Sequence, residues 1–166
     1  MFESTYCLLS ILGSVERVKG RKKLQKTLHL LESSGADVPF KYEYHFFGPY
    51  SAELQEEVNF SVQQGFIEET KIDETYVYTI TEKGRKFKER LDASGDYQFN
   101  LDDELLNSLS QKSSQFLEMV STYAFLIESG YKPEEAKIKA VELKEHLKNC
   151  INEAVEFYKV NIAGRN

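Results

Sequence analysis

The segment GRKKLQKTLHLLE, from Gly20 to Glu32, has a helical pattern from which the rest of the fold can be predicted. In it Leu24, Leu28 and Leu31 recur at spacings of four and three, so they form one apolar stripe along a helix. Upstream, residues 5–12 (TYCLLSIL) are strongly apolar and predict a buried first helix. The charged residues of the second helix are expected to point outward, and these are Lys22, Lys23, Lys26 and Glu32.

The next segment, FKYEYHFF at residues 40–47, alternates apolar and polar positions with a period of two. This pattern predicts a half-buried strand or an extended arm, which the Gly-Pro pair at residues 48–49 should end. Ser51 is expected to cap a helix over residues 52–64, because its hydroxyl can accept a hydrogen bond from the first turn. Gly65 follows that helix, as is typical just beyond a helix C-terminus.

A hairpin and a further helix complete this half of the chain. Residues 66–72 and 76–81 are rich in β-forming side chains and predict two strands around a three-residue loop, 73–75. Thr81 is expected to cap a helix that continues to about Leu91. A helix, a turn, a second helix, a β-hairpin and a closing helix follow one another in a winged helix. We therefore predict an α+β fold whose winged helix-turn-helix core contains a small antiparallel sheet.

The last third of the chain is predicted to be helical. Residues 92–100 contain turn formers and no helical period, so we divide the chain into a winged-helix domain, 1–95, and a helical appendage, 96–166. One helix is expected over 105–127 and another from Pro133 onward, which together form an antiparallel hairpin. Their apolar surface is wider than one partner helix requires, so it packs on the core or forms a homodimer. The candidate dimer residues are Leu143, Leu147, Ile151, Val155 and Tyr158.

Composition limits the classes of function. The 41% hydrophobic content supports a packed core, and the net charge of −6 opposes general attraction to phosphate backbones. The first residues lack the basic and apolar pattern of a leader, and no run approaches the roughly 18–20 apolar residues of a membrane span. A cytoplasmic protein is expected, with no association with membranes.

No catalytic or metal-binding pattern is found in the sequence. His29, His45 and His146 belong to three different predicted elements and have no partner at the spacing of metal ligands. Phosphate-binding loops and nucleophile motifs are also absent. Cys7 and Cys150 are expected to be small buried hydrophobic residues rather than a disulfide or a ligand pair. We therefore expect a non-enzymatic protein without a cofactor or a metal.

Three motifs resemble known families. YVYTITEKGRKFKERL, at residues 76–91, resembles the wing strand and following helix of bacterial winged-helix regulators. KLQK at residues 23–26 and GPYS at residues 48–51 resemble the uncharacterised YwgA-like winged-helix proteins of Gram-positive bacteria. The same motifs are distantly similar to SocA-like (Panacea) antitoxin domains, although the Trp that often precedes their Gly-Pro is missing. The first likeness implies DNA binding and the last implies binding of a protein toxin, while the YwgA-like group supplies no activity.

Two kinds of partner remain open, DNA and protein. The helix expected to enter the major groove contains three glutamates and no Arg or Lys within residues 51–64, whereas basic residues flank it. The candidate nucleic-acid contacts are Arg21, Lys22, Lys23, Lys26, Ser51, Gln55, Asn59, Lys83, Arg85 and Lys86. The candidate protein contacts are Phe46, Phe47 and Tyr50. The hypotheses are a DNA-binding transcriptional regulator and a protein–protein interaction module.

Overall fold

The computed structural model of the protein describes residues 1–165 and has a mixed α+β fold. The helices are α1 (Glu3–Ser14), α2 (Arg21–Ser33), α3 (Ala52–Gln63), α4 (Glu82–Ser94), α5 (Asp103–Ser110), α6 (Ser114–Glu128), α7 (Pro133–Leu143) and α8 (Ile151–Phe157). The strands are β1 (Val18–Lys19), β2 (Glu43–His45), β3 (Gly48–Tyr50), β4 (Ile67–Ile72) and β5 (Thr75–Ile80). Strands β1, β5 and β4 form a small antiparallel sheet in that order, and β2 pairs separately with β3.

The loop between β4 and β5 is tighter than the sequence indicates. Ile72 pairs directly with Thr75, so the connection has two residues instead of the predicted three. Both of them, Asp73 and Glu74, have positive φ angles of 48° and 67°. This is the conformation of a type I′ turn, whose twist matches the twist of the paired strands. The sequence did not indicate this turn, because the loop contains no glycine. Asp adopts positive φ fairly readily, but Glu, which occupies position 74, rarely does.

The predicted helix caps at Ser51 and Thr81 are confirmed. Ser51 Oγ accepts a hydrogen bond from Leu54 N at 3.1 Å, and Thr81 Oγ1 accepts one from Gly84 N at 3.0 Å. Gly84 has a second role, because a Cβ atom there would lie 2.1 Å from the carbonyl oxygen of Phe66. The Thr-x-x-Gly pattern at the start of α4 therefore combines a cap with close packing of this helix on the end of β4.

The predicted strand over residues 40–47 is wrong in its extent. The chain forms a hairpin instead, in which His45 pairs with Gly48 and the two phenylalanines at residues 46–47 form the turn. Gly48 has a φ of +94°, so the Gly-Pro pair begins the return strand and does not end an extended arm. The period-two pattern ends at this turn, where the side chain of Phe46 is exposed to solvent and does not continue the buried face of the strand.

Helix α2 is buried on two sides. Its leucine stripe enters the core as predicted, but Lys26 and His29 are also buried, because α6 packs along α2. The expectation that Lys26 points to solvent is therefore wrong. Helix α6 is separated from α2 by most of the chain, so nothing in the local pattern of α2 reveals the helix that covers its polar side.

The C-terminal helices are more divided than predicted. The expected helix over residues 105–127 is two helices, α5 and α6, because Ser113 caps a new helix by accepting a hydrogen bond from Phe116 N at 3.1 Å. The last helix breaks at Lys144, whose φ of −129° and ψ of 53° are not helical. A 3-10 segment, Glu145–Cys150, follows it, and α8 then continues into a π-helical turn. A stretch of successive helical segments therefore replaces the simple hairpin.

Candidate functional site

The KLQK and GPYS motifs contact each other directly. Gln25 Nε2 donates to the carbonyl oxygen of Ser51 at 2.9 Å, and Ser51 N donates to Gln25 Oε1 at 2.9 Å. Lys26 Nζ donates to the carbonyl oxygen of Pro49 at 2.6 Å. All of these bonds are buried, and together they attach β3 and the start of α3 to α2. We call this set of three hydrogen bonds the motif clamp.

Gly48 lets the motif clamp close. A Cβ atom at this position would lie 3.1 Å from Thr122 Oγ1 and 3.5 Å from Lys26 Nζ, and the φ of +94° is one that L-residues rarely adopt. Thr122 Oγ1 is buried and has no hydrogen-bond partner among the described residues. A side chain larger than that of glycine would therefore push β3 away from α2 and α6.

A buried glutamate is paired with two lysines behind the hairpin. Glu118 on α6 has 1% of its side chain exposed, and its oxygens lie 2.9 Å from Lys22 Nζ and 2.9 Å from Lys144 Nζ. Burial alone raises the pKa of Glu118, but hydrogen bonds and charges from the two lysines outweigh it and lower the pKa. Burial lowers the pKa of Lys26 to about 8, against the opposing effect of Glu118. Glu118 is therefore held ionised within an excess of positive groups.

The turn of the β2–β3 hairpin exposes two aromatic rings. Phe46 is 87% exposed and Phe47 is 59% exposed, and their rings meet edge to face with centroids 5.0 Å apart. We call these two residues the aromatic tip. Its backbone is fixed, because Lys144 Nζ donates to the carbonyl oxygen of Phe46 at 2.8 Å. A turn that presents large apolar groups to solvent is typical of a contact surface.

A groove of about 630 Å³ begins beside the aromatic tip. It runs between the start of α2, the β2–β3 hairpin and one face of α3. Its lining consists of basic, amide and aromatic side chains, which are Arg21, Lys22, Gln25, Lys26, Phe47, Tyr50, Gln55 and Asn59. A second cavity, of about 450 Å³, lies on the other side of Lys22 and Phe47 and reaches Glu118 and Lys144. Binding pockets commonly measure about 300–1,000 Å³, so the groove has a suitable size.

The structure brings part of the predicted nucleic-acid set to this groove. Arg21 stacks on Tyr76, with its guanidinium carbon 3.8 Å from the ring centroid. Gln55 Nε2 donates to Asn59 Oδ1 at 3.0 Å on the exposed face of α3. These residues share the groove with two predicted protein contacts, Phe47 and Tyr50. The sequence separated the two groups, whereas the fold places them side by side.

Other members of the predicted nucleic-acid set lie elsewhere. Lys26 and Ser51 are buried in the motif clamp, so neither is available at the surface. Lys23 Nζ donates to the carbonyl oxygen of Ser110 at 2.7 Å, away from the groove lining. Lys83 bonds to the carbonyl oxygen of Gln64 at 2.7 Å. Lys83, Arg85 and Lys86 are exposed on α4.

The surfaces that would meet DNA in a winged helix are acidic. On α3 the exposed side chains include Glu53 and Glu56, and none of its residues is Arg or Lys. On the β4–β5 hairpin, Lys71 is outnumbered by exposed carboxylates on Glu68, Asp73 and Glu74. Each carboxylate near a phosphate chain weakens binding, most of all at low ionic strength.

Histidine and cysteine do not assemble a reactive centre. His29 is fully buried and its Nδ1 lies 2.6 Å from Ser121 Oγ, while its Nε2 lies 3.6 Å from a Glu128 oxygen. Cys7 and Cys150 are free thiols, and Cys7 is buried as expected, whereas Cys150 is only partly buried. In residues 1–165 no group of His, Cys, Asp and Glu is arranged to hold a metal ion. Among the same residues, no helix has the length and apolar character needed to cross a membrane.

The candidate dimer residues occupy the last helical segments. Ile151 is buried within the single chain, where α8 packs on α6. Leu143 is 38% exposed and is the most accessible member of the set. Leu147, Val155 and Tyr158 are half-buried against the core. Packing inside one chain therefore accounts for part of the wide apolar surface.

Sequence reasoning missed Glu118, Thr122 and Lys144. Glu118 carried a usable signal, because it is a lone charge inside the apolar run FLEMVSTYAFLI of residues 116–127. A charged side chain in such a run is rarely buried without a partner of opposite sign. Lys144 had no comparable signal, because it lies in a segment rich in lysine and glutamate, a composition typical of a solvated helix face.

Comparison with known proteins agrees with the motif resemblance. No protein-family model matches the chain. Over 147 residues the chain is 32% identical to the uncharacterised protein YwgA of Bacillus subtilis (strain 168). The aligned region covers 85% of this chain and 84% of that protein. The chain has the structure of a mixed α+β protein with a small antiparallel sheet. It belongs to the YwgA family.

Proposed function

We propose that the chain is a non-enzymatic regulatory adaptor with a winged-helix core, which binds a protein partner through the aromatic tip and the adjoining groove. The order of α1, β1, α2, α3, β4, β5 and α4 supports the winged-helix assignment, as does the sheet order β1-β5-β4. The long connection between α2 and α3 departs from a compact helix-turn-helix, because it holds the β2–β3 hairpin. That inserted hairpin carries the proposed contact surface.

The observation that carries the proposal is the exposed aromatic tip beside a groove. Phe46 and Phe47 expose large apolar surfaces on a turn that is fixed by the buried Lys144. Aromatic anchors on rigid supports are enriched among the residues that dominate protein–protein binding energies. The acidic surfaces of α3 and of the β4–β5 hairpin favour a protein over DNA at this end of the molecule.

Site-specific photo-crosslinking in the organism that encodes the chain tests this proposal. A photoreactive phenylalanine analogue replaces Phe46, and a matched variant carries it at Ile72, which is 50% exposed on β4 and lies outside both the groove and the C-terminal helices. We expect position 46 to give a discrete adduct that protease removes and nuclease does not. Adducts that nuclease removes, or the same adducts from both positions, would overturn the proposal.

A DNA-binding transcriptional regulator is the second candidate function. The observation in its favour is the exposed basic surface of α4, which comprises Lys83, Arg85, Lys86 and Arg90. Basic side chains on one helix can grip phosphates without reading bases. A mobility shift with mixed-sequence duplex at low salt tests it, with the Arg85→Glu/Lys86→Glu double variant as the comparison. Equal retardation of both proteins would exclude this surface, and no retardation at micromolar protein would exclude DNA binding.

We also propose that the adaptor is a homodimer through its C-terminal helices. Exposed apolar side chains on these segments support this assembly, namely Ile138 at 63%, Leu143 at 38% and Val160 at 61%. Exposed apolar groups are removed from water when two copies associate through them. The aromatic tip would then be presented twice by each assembly.

A further inference from the structure

We infer that the groove beside the aromatic tip binds an acidic segment of the partner protein, one whose carboxylates meet Arg21 and Lys22. This inference rests on the proposed function and specifies the chemistry of the partner. The first support is the lining of the groove, which holds the cations Arg21, Lys22 and Lys26 and no carboxylate. The chain as a whole has a net charge of −6, so this lining is a local exception.

The positive charge behind the groove is built into the core. The ammonium groups of Lys22 and Lys144 both contact one carboxylate, that of Glu118, and the charge of Glu118 also acts on Lys26. Ionised together, these groups leave positive charge that the buried carboxylate does not neutralise. Charges that are fixed by packing and partly shielded from water attract an anion more strongly than mobile surface lysines do.

A carboxylate ligand would also stabilise Lys26. This side chain is buried and its amine has a lowered pKa because of that burial. An anion in the groove favours the charged ammonium, so binding and protonation of Lys26 support each other. The remaining lining suits a polypeptide, because the Gln55–Asn59 amide pair offers backbone-like hydrogen bonds and Phe47 with Tyr50 offers an apolar wall.

The surroundings favour an acidic peptide over a nucleic acid. Glu53 and Glu56 are exposed on α3, the helix that supplies one wall of the groove. A nucleic acid places a charge on every nucleotide and would meet these carboxylates on leaving the groove. A polypeptide can concentrate its carboxylates at Arg21 and Lys22 and carry neutral residues elsewhere. An acidic segment with an interspersed apolar residue is therefore the occupant that fits.

Amide NMR titration of the full chain tests the inference. The probe is a short Glu-Glu-Leu repeat peptide, with the Gln-Gln-Leu repeat and a thymidine oligonucleotide as comparisons. We expect the acidic peptide to shift signals of Arg21, Lys22, Tyr50, Gln55 and Asn59 below about 1 mM, and added salt to weaken it. The neutral peptide should bind at least about tenfold more weakly.

Two variants place a negative charge in the groove; Arg21→Glu also removes the hydrogen bond of Arg21 to Tyr78, whereas Asn59→Asp leaves that bond in place. Arg21→Glu and Asn59→Asp both alter exposed residues and should each weaken the acidic peptide by about fivefold or more. Arg85→Glu on α4 makes the same charge change outside the groove and should alter affinity by less than about twofold. Unchanged circular dichroism and melting temperature in all three variants separate a binding effect from misfolding.

Several results would overturn the inference. They are no binding of the acidic peptide at about 1 mM, equal binding of the neutral peptide, or equal weakening by Arg21→Glu and Arg85→Glu. Tighter binding of the oligonucleotide at the same residues would assign the groove to nucleic acid instead. If the peptide fails while crosslinking from position 46 still captures a protein, the adaptor function stands and only the acidic partner is refuted.

Discussion

Replacing Gln25 by leucine tests the motif clamp on which the whole site depends. The two side chains have similar volumes, so the change removes polar atoms without opening a large cavity. Gln25 and Ser51 are both buried, and the substitution removes the bonds from Gln25 Nε2 to Ser51 O and from Ser51 N to Gln25 Oε1. The start of α3 then loses its polar attachment to α2.

The two lost bonds do not cost the same. Ser51 O also accepts a hydrogen bond from Gln55 N at 3.2 Å, so it keeps one partner. Loss of the bond from Gln25 should therefore lower the free energy of unfolding by about 0.5–1.5 kcal/mol. Ser51 N has Gln25 as its partner and is left unsatisfied in a buried site, at about 1–3 kcal/mol. The added apolar surface of leucine offsets up to about 1 kcal/mol. The midpoints of these three ranges give an expected net loss of unfolding free energy of about 2–3 kcal/mol.

Equilibrium denaturation with urea, followed by circular dichroism, measures this loss. Gln63→Leu is the matched control, because Gln63 is exposed on α3 and the same change there should stay within about 0.5 kcal/mol. For a chain of this length, Gln25→Leu should lower the melting temperature by about 4–12 °C. A loss within about 0.5 kcal/mol of the control, at an unchanged denaturant slope, would refute the energetic role of the motif clamp.

Three further predictions concern stability and assembly. Gly48→Ala should lower the free energy of unfolding by about 1–3 kcal/mol, and by more than Gly130→Ala does. Both glycines have positive φ, but only at Gly48 does the new Cβ meet another side chain. Urea unfolding of the two variants compares these losses. Burial, with Glu128 acting in the same direction, raises the pKa of Glu32 to about 7. The folded state therefore holds this proton more tightly than the unfolded state, so the free energy of unfolding should fall as pH rises from about 4.5 to about 7. Denaturation at several pH values measures this dependence on pH, and Glu32→Gln should make it shallower. Light scattering at high concentration should give twice the 19.2 kDa of one chain, and the monomer mass would contradict the dimer.

Local signals predicted those parts of the fold that depend on neighbouring residues. Ser51 and Thr81 were identified as caps because a hydroxyl oxygen before a helix can reach an amide hydrogen in its first turn. The leucine stripe of α2 was identified because helical spacing alone sets which side chains share a face. Both inferences involve residues within about two helical turns of each other, where sequence order determines geometry.

The site could not be derived in the same way, because its contacts join distant parts of the chain. Lys26 has the sequence context of a solvated lysine, and only packing of α6 and β3 makes it a buried donor to Pro49. Phe46 fits the alternation of a strand, and only the tight turn before Gly48 exposes it. Charge alone therefore placed Lys26 in solvent, where the fold buries it, and periodicity placed Phe46 in a strand, although it was also named as a candidate protein contact and is exposed.

The bond from Lys144 to the carbonyl oxygen of Phe46 joins residues 98 positions apart. A ribosome completes the β2–β3 hairpin long before it adds the lysine that fixes its turn. The aromatic tip therefore acquires its final support only when the last helical segments have been synthesised and have packed against α6. A nascent chain can fold its small sheet early, whereas the turn of the β2–β3 hairpin gains its bond from Lys144 only after that lysine has been added.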